Sequence, residues 1–284
     1  MSRPGRQLYH FLRKTPDSRN RLYSDMSEDQ SPGTQDTFIS HLVELRNRLV
    51  RASAAVLVVF VILFLIWPGP ATIYDFLARP MMDSLPAGAK MIATGITTPF
   101  LIPMKLTLLV ALVLSLPWVL YQVWAFVAPG LYSHEKKLIA PLVVSSSLLF
   151  IGGVAFCYFL VFGKVFKFIN EFSPKSITVA PDIENYFDFV MTMCLAFGVT
   201  FEVPIVVIVL VRMGLVSVEK LKSIRPYVIV GAFVIAAVVT PPDVMSQLFL
   251  AIPLCLLFEL GLLIAPLFAR VTRAPDSDTS EAQT

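Results

Sequence analysis

Charge is scarce in this sequence. Asp, Glu, Lys and Arg make up 15% of the 284 residues, against about 25% in a soluble domain. Histidine and cysteine are scarcer, at three residues each. Cys157, Cys194 and Cys255 lie far apart inside apolar runs, with no CxxC and no Cys/His ligand spacing, so neither a disulfide framework nor a metal site fits. There is no Gly-Lys-Ser/Thr phosphate loop, no HExxH and no GxSxG. His10, His41 and His134 all fall outside the apolar runs, and no residue set resembles a nucleophile with its base. These absences argue against an enzyme and against a bound cofactor. Nucleic-acid binding is not expected either, because the basic residues are distributed as topological signals. No internal repeat is visible, which counts against transporter folds built from repeats. Residues 1–37 lack the apolar stretch of a signal peptide and are polar, so disorder is expected there, with Met26 as a second candidate start.

Apolar residues are abundant, at 56%, with a mean hydropathy of +0.73. That balance belongs to a polytopic membrane protein. A bilayer core of about 30 Å needs about 20 apolar residues in a helix. Six candidate spans follow: Leu49–Trp67, Phe100–Ala128, Ile139–Phe162, Tyr186–Val211, Tyr227–Val239, and Leu248 to at least Ala265. The fifth reaches only about 20 Å at 1.5 Å per residue. Thr240-Pro241-Pro242-Asp243 and the residues to Gln247 read as a tight turn, so spans five and six form a short hairpin. Lys and Arg number 17 on the side of the two termini and 5 on the other, which places both termini in the cytoplasm. The expected fold is an all-α membrane protein with six transmembrane helices, the last two short. The membrane domain covers residues 38–268, between disordered segments 1–37 and 269–284.

Four acids stand out. Glu202, before Pro204, and Glu259 sit inside apolar spans, where an ionisable group is expensive. Each reads either as a functional group or as a carboxyl satisfied inside the bundle, and for Glu259 the second reading is preferred. His41–Leu49 repeats Leu at i, i+3 and i+7, an interfacial helix leading into the first span. Within it Glu44 and Arg48 have the spacing of a surface ion pair. Glu135 follows the helix-breaking Pro129-Gly130 beside Lys136 and Lys137 and, on composition alone, is a solvated loop charge. A proton-coupled transporter using Glu202 and Glu259 is the main rival reading, and an intramembrane enzyme a second.

Several blocks in order are more specific. They are His41–Leu49; Pro117-x3-Tyr121-Gln122-x-Trp124-x-Phe126-x2-Pro129-Gly130-Leu131-Tyr132-x2-Glu135-Lys136-Lys137; Phe197-Gly198-x2-Phe201-Glu202-x-Pro204; Arg225-Pro226-Tyr227; Thr240-Pro241-Pro242-Asp243-x2-Ser246-Gln247; and Pro253-x5-Glu259-x-Gly261. Together, over about residues 36–268, the sequence resembles the TatC family, the polytopic core of the twin-arginine protein translocase. The resemblance implies a cupped arrangement of six helices in the bacterial cytoplasmic (inner) membrane. It implies binding of the twin-arginine signal peptides of folded precursors, export driven by the proton-motive force, single-span partners TatB and TatA, and self-association in a multimeric receptor complex. It assigns Glu44 and Glu135 to signal recognition, with Arg46 and Phe126 beside them, and Glu202 to the concave membrane face. Thr240 and Gln247 become the partner-contact positions. Asp243 and Pro80, in the first loop on the far side, are read as structural.

Overall fold

A computed structural model of the chain describes residues 32–85, 90–127, 139–172, 174, 180–240 and 243–269. Ten α-helices account for most of them: α1 Pro32–Leu65, α2 Pro70–Met82, α3 Thr98–Val127, α4 Ile139–Phe156, α5 Phe162–Phe172, α6 Ile183–Phe201, α7 Val203–Arg212, α8 Val218–Ser223, α9 Arg225–Val239 and α10 Val244–Ala269. A π-helical turn, Cys157–Val161, joins α4 to α5. The only extended pairing among the described residues is a single parallel bridge between Ile92 and Asp182. The chain divides into two units between Arg48 and Leu49.

Five stretches are long and apolar enough to cross a bilayer: Ile39–Leu65, Thr98–Val127, Ile139–Phe172, Ile183–Arg212 and Val244–Leu267. A sixth, Arg225–Val239, has 15 residues and spans about 22 Å. The expectation that both of the last two helices are short is therefore corrected. Only α9 is, because α10 has 26 residues. The reason lies at its start, where the Asp243 carboxylate accepts the Ser246 amide at 2.7 Å. That bond satisfies one of the orphan donors of a helix N-terminus, so residues 244–247 are helical rather than part of a turn. Two further boundaries move. The amphipathic segment around Glu44 and the first span form one uninterrupted helix, since no Gly or Pro falls between Thr34 and Leu65. The third span continues past Phe162 to Phe172 by way of the π turn.

The larger core of the second unit is aromatic and aliphatic, with Phe162, Phe187, Phe197, Ile102, Leu106 and Met193 fully buried. Smaller clusters form around Val207, Phe258 and Leu262, and around Trp124, Val143 and Ile205. Transmembrane helices approach closely where a side chain is missing. A Cβ on Gly153 of α4 would come within 2.6 Å of the Phe197 carbonyl oxygen of α6. One on Gly198 of α6 would meet the Phe150 ring at 2.5 Å. Gly261 plays the same part between α10 and α7, with Pro204 Cα 3.0 Å from its would-be Cβ. Ring Phe150 has rotamers to move through, whereas the Phe197 backbone has none. Gly153→Val therefore lowers stability by about 1–3 kcal/mol, read as the thermal midpoint of the detergent-solubilised protein. An unchanged midpoint would contradict this packing.

Short helix α2 was not expected. Gly69, at φ 83°, turns the chain, and Pro70 starts the helix. Its buried face is Ile73, Leu77 and Ala78. Pro80 inside it lacks an N–H, which leaves the Phe76 carbonyl without its helical donor. The Tyr158 hydroxyl supplies one at 2.6 Å. Next to it, Tyr186 donates to the Leu77 carbonyl at 2.9 Å. Pro80 therefore lies inside a helix and not in the loop expected there, and the interruption it makes is bridged from the π turn between α4 and α5.

Candidate functional site

Glu44 lies on α1, half-buried. Arg48, one turn on, donates to its Oε1 from Nε at 2.9 Å and from Nη2 at 2.5 Å. Helical i, i+4 spacing alone produces this pair. Arg46 and Asn47, between them in sequence, are exposed. Phe126 is half-buried in the last turn of α3, two residues after the buried Trp124. Trp124 donates through its indole N–H to Ser146 Oγ of α4 at 3.0 Å. Glu135 falls within 128–138 and lies outside the described residues.

Glu202 caps the C-terminus of α6 and separates it from α7. Pro204 explains the break, since it cannot donate to the Thr200 carbonyl that a continuous helix would present to it. Among the described residues, neither buried carboxylate oxygen of Glu202 has a partner at hydrogen-bonding geometry, and neither has Oε1 of Gln122 on α3; the Ser146 hydroxyl of α4 is the polar group beside the carboxyl. Native proteins leave few such groups, and each calls for a reason. Glu259 behaves differently. It receives Arg225 Nη2 at 2.6 Å, with both side chains nearly half exposed. Glu259 is thus an ion-paired carboxylate at a half-exposed position rather than one enclosed in the bundle. Arg225 and Glu259 are 34 residues apart, so nothing local in the sequence announces it.

At the end of α9, Thr240 is buried and its hydroxyl donates to the Ala236 carbonyl at 2.8 Å. Gln247, at the start of α10, sends Nε2 back to the Phe233 carbonyl of α9 at 3.2 Å. The Gln247 bond links the two helices of the hairpin, whereas the Thr240 bond stays within the end of α9. Sequence reasoning also missed a polar seam that runs from the residues before α3 and α6 into their first turns. Thr94 donates to Asp182 at 3.2 Å, Thr98 to Glu184 at 3.1 Å, and Lys105 lies 3.3 Å from Asp188. Its only signal was the recurrence of acids through the first turns of the fourth span. Among the described residues, no group of three His, Cys, Asp or Glu side chains is placed to hold a metal ion.

Five long apolar helices and a sixth, shorter one, with a broken fourth span, describe a multi-pass membrane protein. Comparison with known proteins narrows this. The family of Sec-independent protein translocase proteins, TatC, matches residues 40–253. The Haemophilus influenzae Sec-independent protein translocase protein TatC is 54% identical over 227 residues, 80% of this chain and 88% of that protein. Its Escherichia coli K12 counterpart is 49% identical over 234 residues, 82% of this chain and 88% of that one. A crystal structure of the twin arginine translocase receptor TatC superposes with a TM-score of 0.72 at 39% identity, covering 81% of this chain and 100% of the other. The chain belongs to the TatC family, the receptor subunit of the twin-arginine translocase. Members are transport proteins and not enzymes, and the bacterial ones sit in the cytoplasmic membrane as multi-pass proteins.

Proposed function

We propose that the chain reads the paired arginines of a twin-arginine signal peptide with two carboxylates, Glu44 and Glu135, on the cytoplasmic side of the membrane. The observation that carries this reading is the Glu44 carboxylate, half-buried and held by the Arg48 guanidinium at 2.9 and 2.5 Å. Arg48 uses only Oε1, so Oε2 is open to an incoming guanidinium, whose charge and planar donors a lysine ammonium does not reproduce. Arg46 supplies the basic part of the same surface, and the Phe126 ring meets the signal's apolar segment. Glu44→Gln keeps the size and removes the charge. Signal-peptide affinity then falls about fivefold, the effect of an exposed pair worth about 1 kcal/mol. Affinity unchanged in a fluorescence titration with the labelled peptide would overturn the assignment.

The same reading puts both termini in the cytoplasm, with six crossings in a cupped array. TatB and TatA dock against the α9–α10 hairpin, where Thr240 shapes the turn and Gln247 offers the contact. Support comes from the Gln247 bond to Phe233, which is long for an amide donor at 3.2 Å and readily exchanged for a partner's polar group. Disulfide scanning between Gln247→Cys and cysteines along the TatB helix should yield a crosslink every three or four residues. No crosslink at any register would remove Gln247 from the interface. Several copies of the chain assemble in one receptor complex. Energy comes from the proton-motive force, whose potential is worth about 2.3 kcal/mol per charge per 100 mV. Glu202 is the intramembrane polar group of the transport path, its orphaned carboxyl the feature that packing alone does not account for.

A further inference from the structure

Two cavities meet where α2 packs beside the α4–α5 helix. The first has a volume of about 710 Å³, within the range of small-molecule sites. Four exposed charged side chains line it: Arg79 and Asp83 at the end of α2, and Lys167 and Glu171 on α5. Its walls are fixed. Asn170 Nδ2 donates to the Ser84 carbonyl at 2.9 Å and to Ser84 Oγ at 3.1 Å, tying the end of α2 to α5. The Phe76 and Tyr158 rings stack at 4.9 Å, and the Arg79 guanidinium lies 5.8 Å from the Phe76 ring centre. Lys167 and Glu171 stand 3.8 Å apart and are largely exposed, a weak pair that gives way to a better partner.

The second cavity, about 470 Å³, has no charged lining residue and runs between Ile73 of α2, Leu109 and Val113 of α3, and Val154 of α4. Phe76, Tyr158 and Phe159 line both cavities. A charged compartment therefore continues into an apolar one across an aromatic wall. Phe159, 70% exposed, and Trp67, 77% exposed, mark this boundary in the manner of the aromatic belt at a membrane–water interface.

The occupant follows from the chemistry. A polar compartment opening into an apolar one at that level fits an amphiphile with a head and a hydrocarbon chain. Two cations and two carboxylates fit a head that carries both signs. A purely anionic head would set its phosphate against Asp83 and Glu171. A quaternary ammonium would offer those carboxylates no N–H. A peptide with paired arginines would face Arg79 and Lys167. We propose that Arg79, Asp83, Lys167 and Glu171 bind the headgroup of a phosphatidylethanolamine lipid, with an acyl chain in the adjoining apolar cavity. The phosphate meets Arg79 and Lys167, and the primary ammonium meets Asp83 and Glu171.

The test uses the full-length protein in nanodiscs holding equal amounts of phosphatidylethanolamine and phosphatidylglycerol, each with a photoreactive acyl chain. Lipid adducts are mapped by mass spectrometry to the peptides of α2 and α4–α5. Phosphatidylethanolamine adducts exceed phosphatidylglycerol adducts by about tenfold, the ratio expected from charge-assisted hydrogen bonds. Asp83→Asn with Glu171→Gln, which removes the carboxylates that meet the ammonium, abolishes the preference, whereas Arg79→Glu weakens labelling by both lipids. Gly163 lines the charged cavity, and a Cβ there meets nothing within 4 Å. Gly163→Phe therefore fills the site without disturbing the fold and abolishes the adducts. Equal labelling by the two lipids, or labelling unchanged in Gly163→Phe, would overturn the proposal. So would full competition by soluble phosphoethanolamine, which would mark a headgroup-sized solute, or by a twin-arginine signal peptide, which would assign the cavity to the signal.

Discussion

Cells carrying Glu44→Ala together with Glu135→Ala retain folded precursors in the cytoplasm, and their membranes bind a twin-arginine signal peptide about thirtyfold more weakly than the parent. Either change alone costs about fivefold, because one exposed ion pair contributes about 1 kcal/mol. The double change removes both guanidinium partners. It also deprives Arg48 of the carboxylate it holds at 2.5 Å, so that its positive charge opposes an incoming arginine. Binding is measured with the labelled peptide and export by fractionating a precursor that carries its cofactor. Normal export in the double variant would remove both residues from the recognition site. Retained binding with failed export would instead assign them to a later step.

Replacing Glu202 by leucine separates stability from function. Both carboxylate oxygens are buried and lack a hydrogen-bond partner among the described residues, and an unsatisfied buried polar group costs about 1–3 kcal/mol. Leucine fills a similar volume without that cost, so the variant is more stable by an amount in the same range. A group kept for packing would show this gain and no loss of transport. A group kept for the transport path shows the gain together with export reduced to background. Glu202→Gln, which keeps hydrogen-bonding capacity without the charge, distinguishes a need for polarity from a need for ionisation. A destabilised leucine variant would contradict the orphaned carboxyl itself.

Much of this fold is legible in the sequence because its main signal, apolar length, is local. The spans around Phe100–Ala128 and Tyr186–Val211 and the break at Glu202–Pro204 are read directly from composition and proline placement. What escapes local reading depends on groups distant in the chain. Asp243 lengthens α10 by capping it, although beside two prolines it reads as turn chemistry. Arg225 meets Glu259 only in the folded hairpin. The short helix at Pro70–Met82 survives an internal proline because Tyr158, 82 residues away, donates to the carbonyl that Pro80 leaves open. The candidate site divides in the same way. Spacing foretells the Glu44–Arg48 pair, while its role as a reader of arginine comes from the family resemblance. Glu135 lies outside the described residues, and its part rests on the resemblance and on the experiments above.

The central claim is that two carboxylates read two arginines, and signal-peptide photocrosslinking in membranes tests it most directly. A signal peptide with a photoreactive residue beside its paired arginines is compared with one in which both are lysine. The account predicts adducts with the arginine peptide only, lost when Glu135 is changed to lysine. Equal adducts with the lysine peptide, or arginine adducts that survive Glu135→Lys, would contradict it.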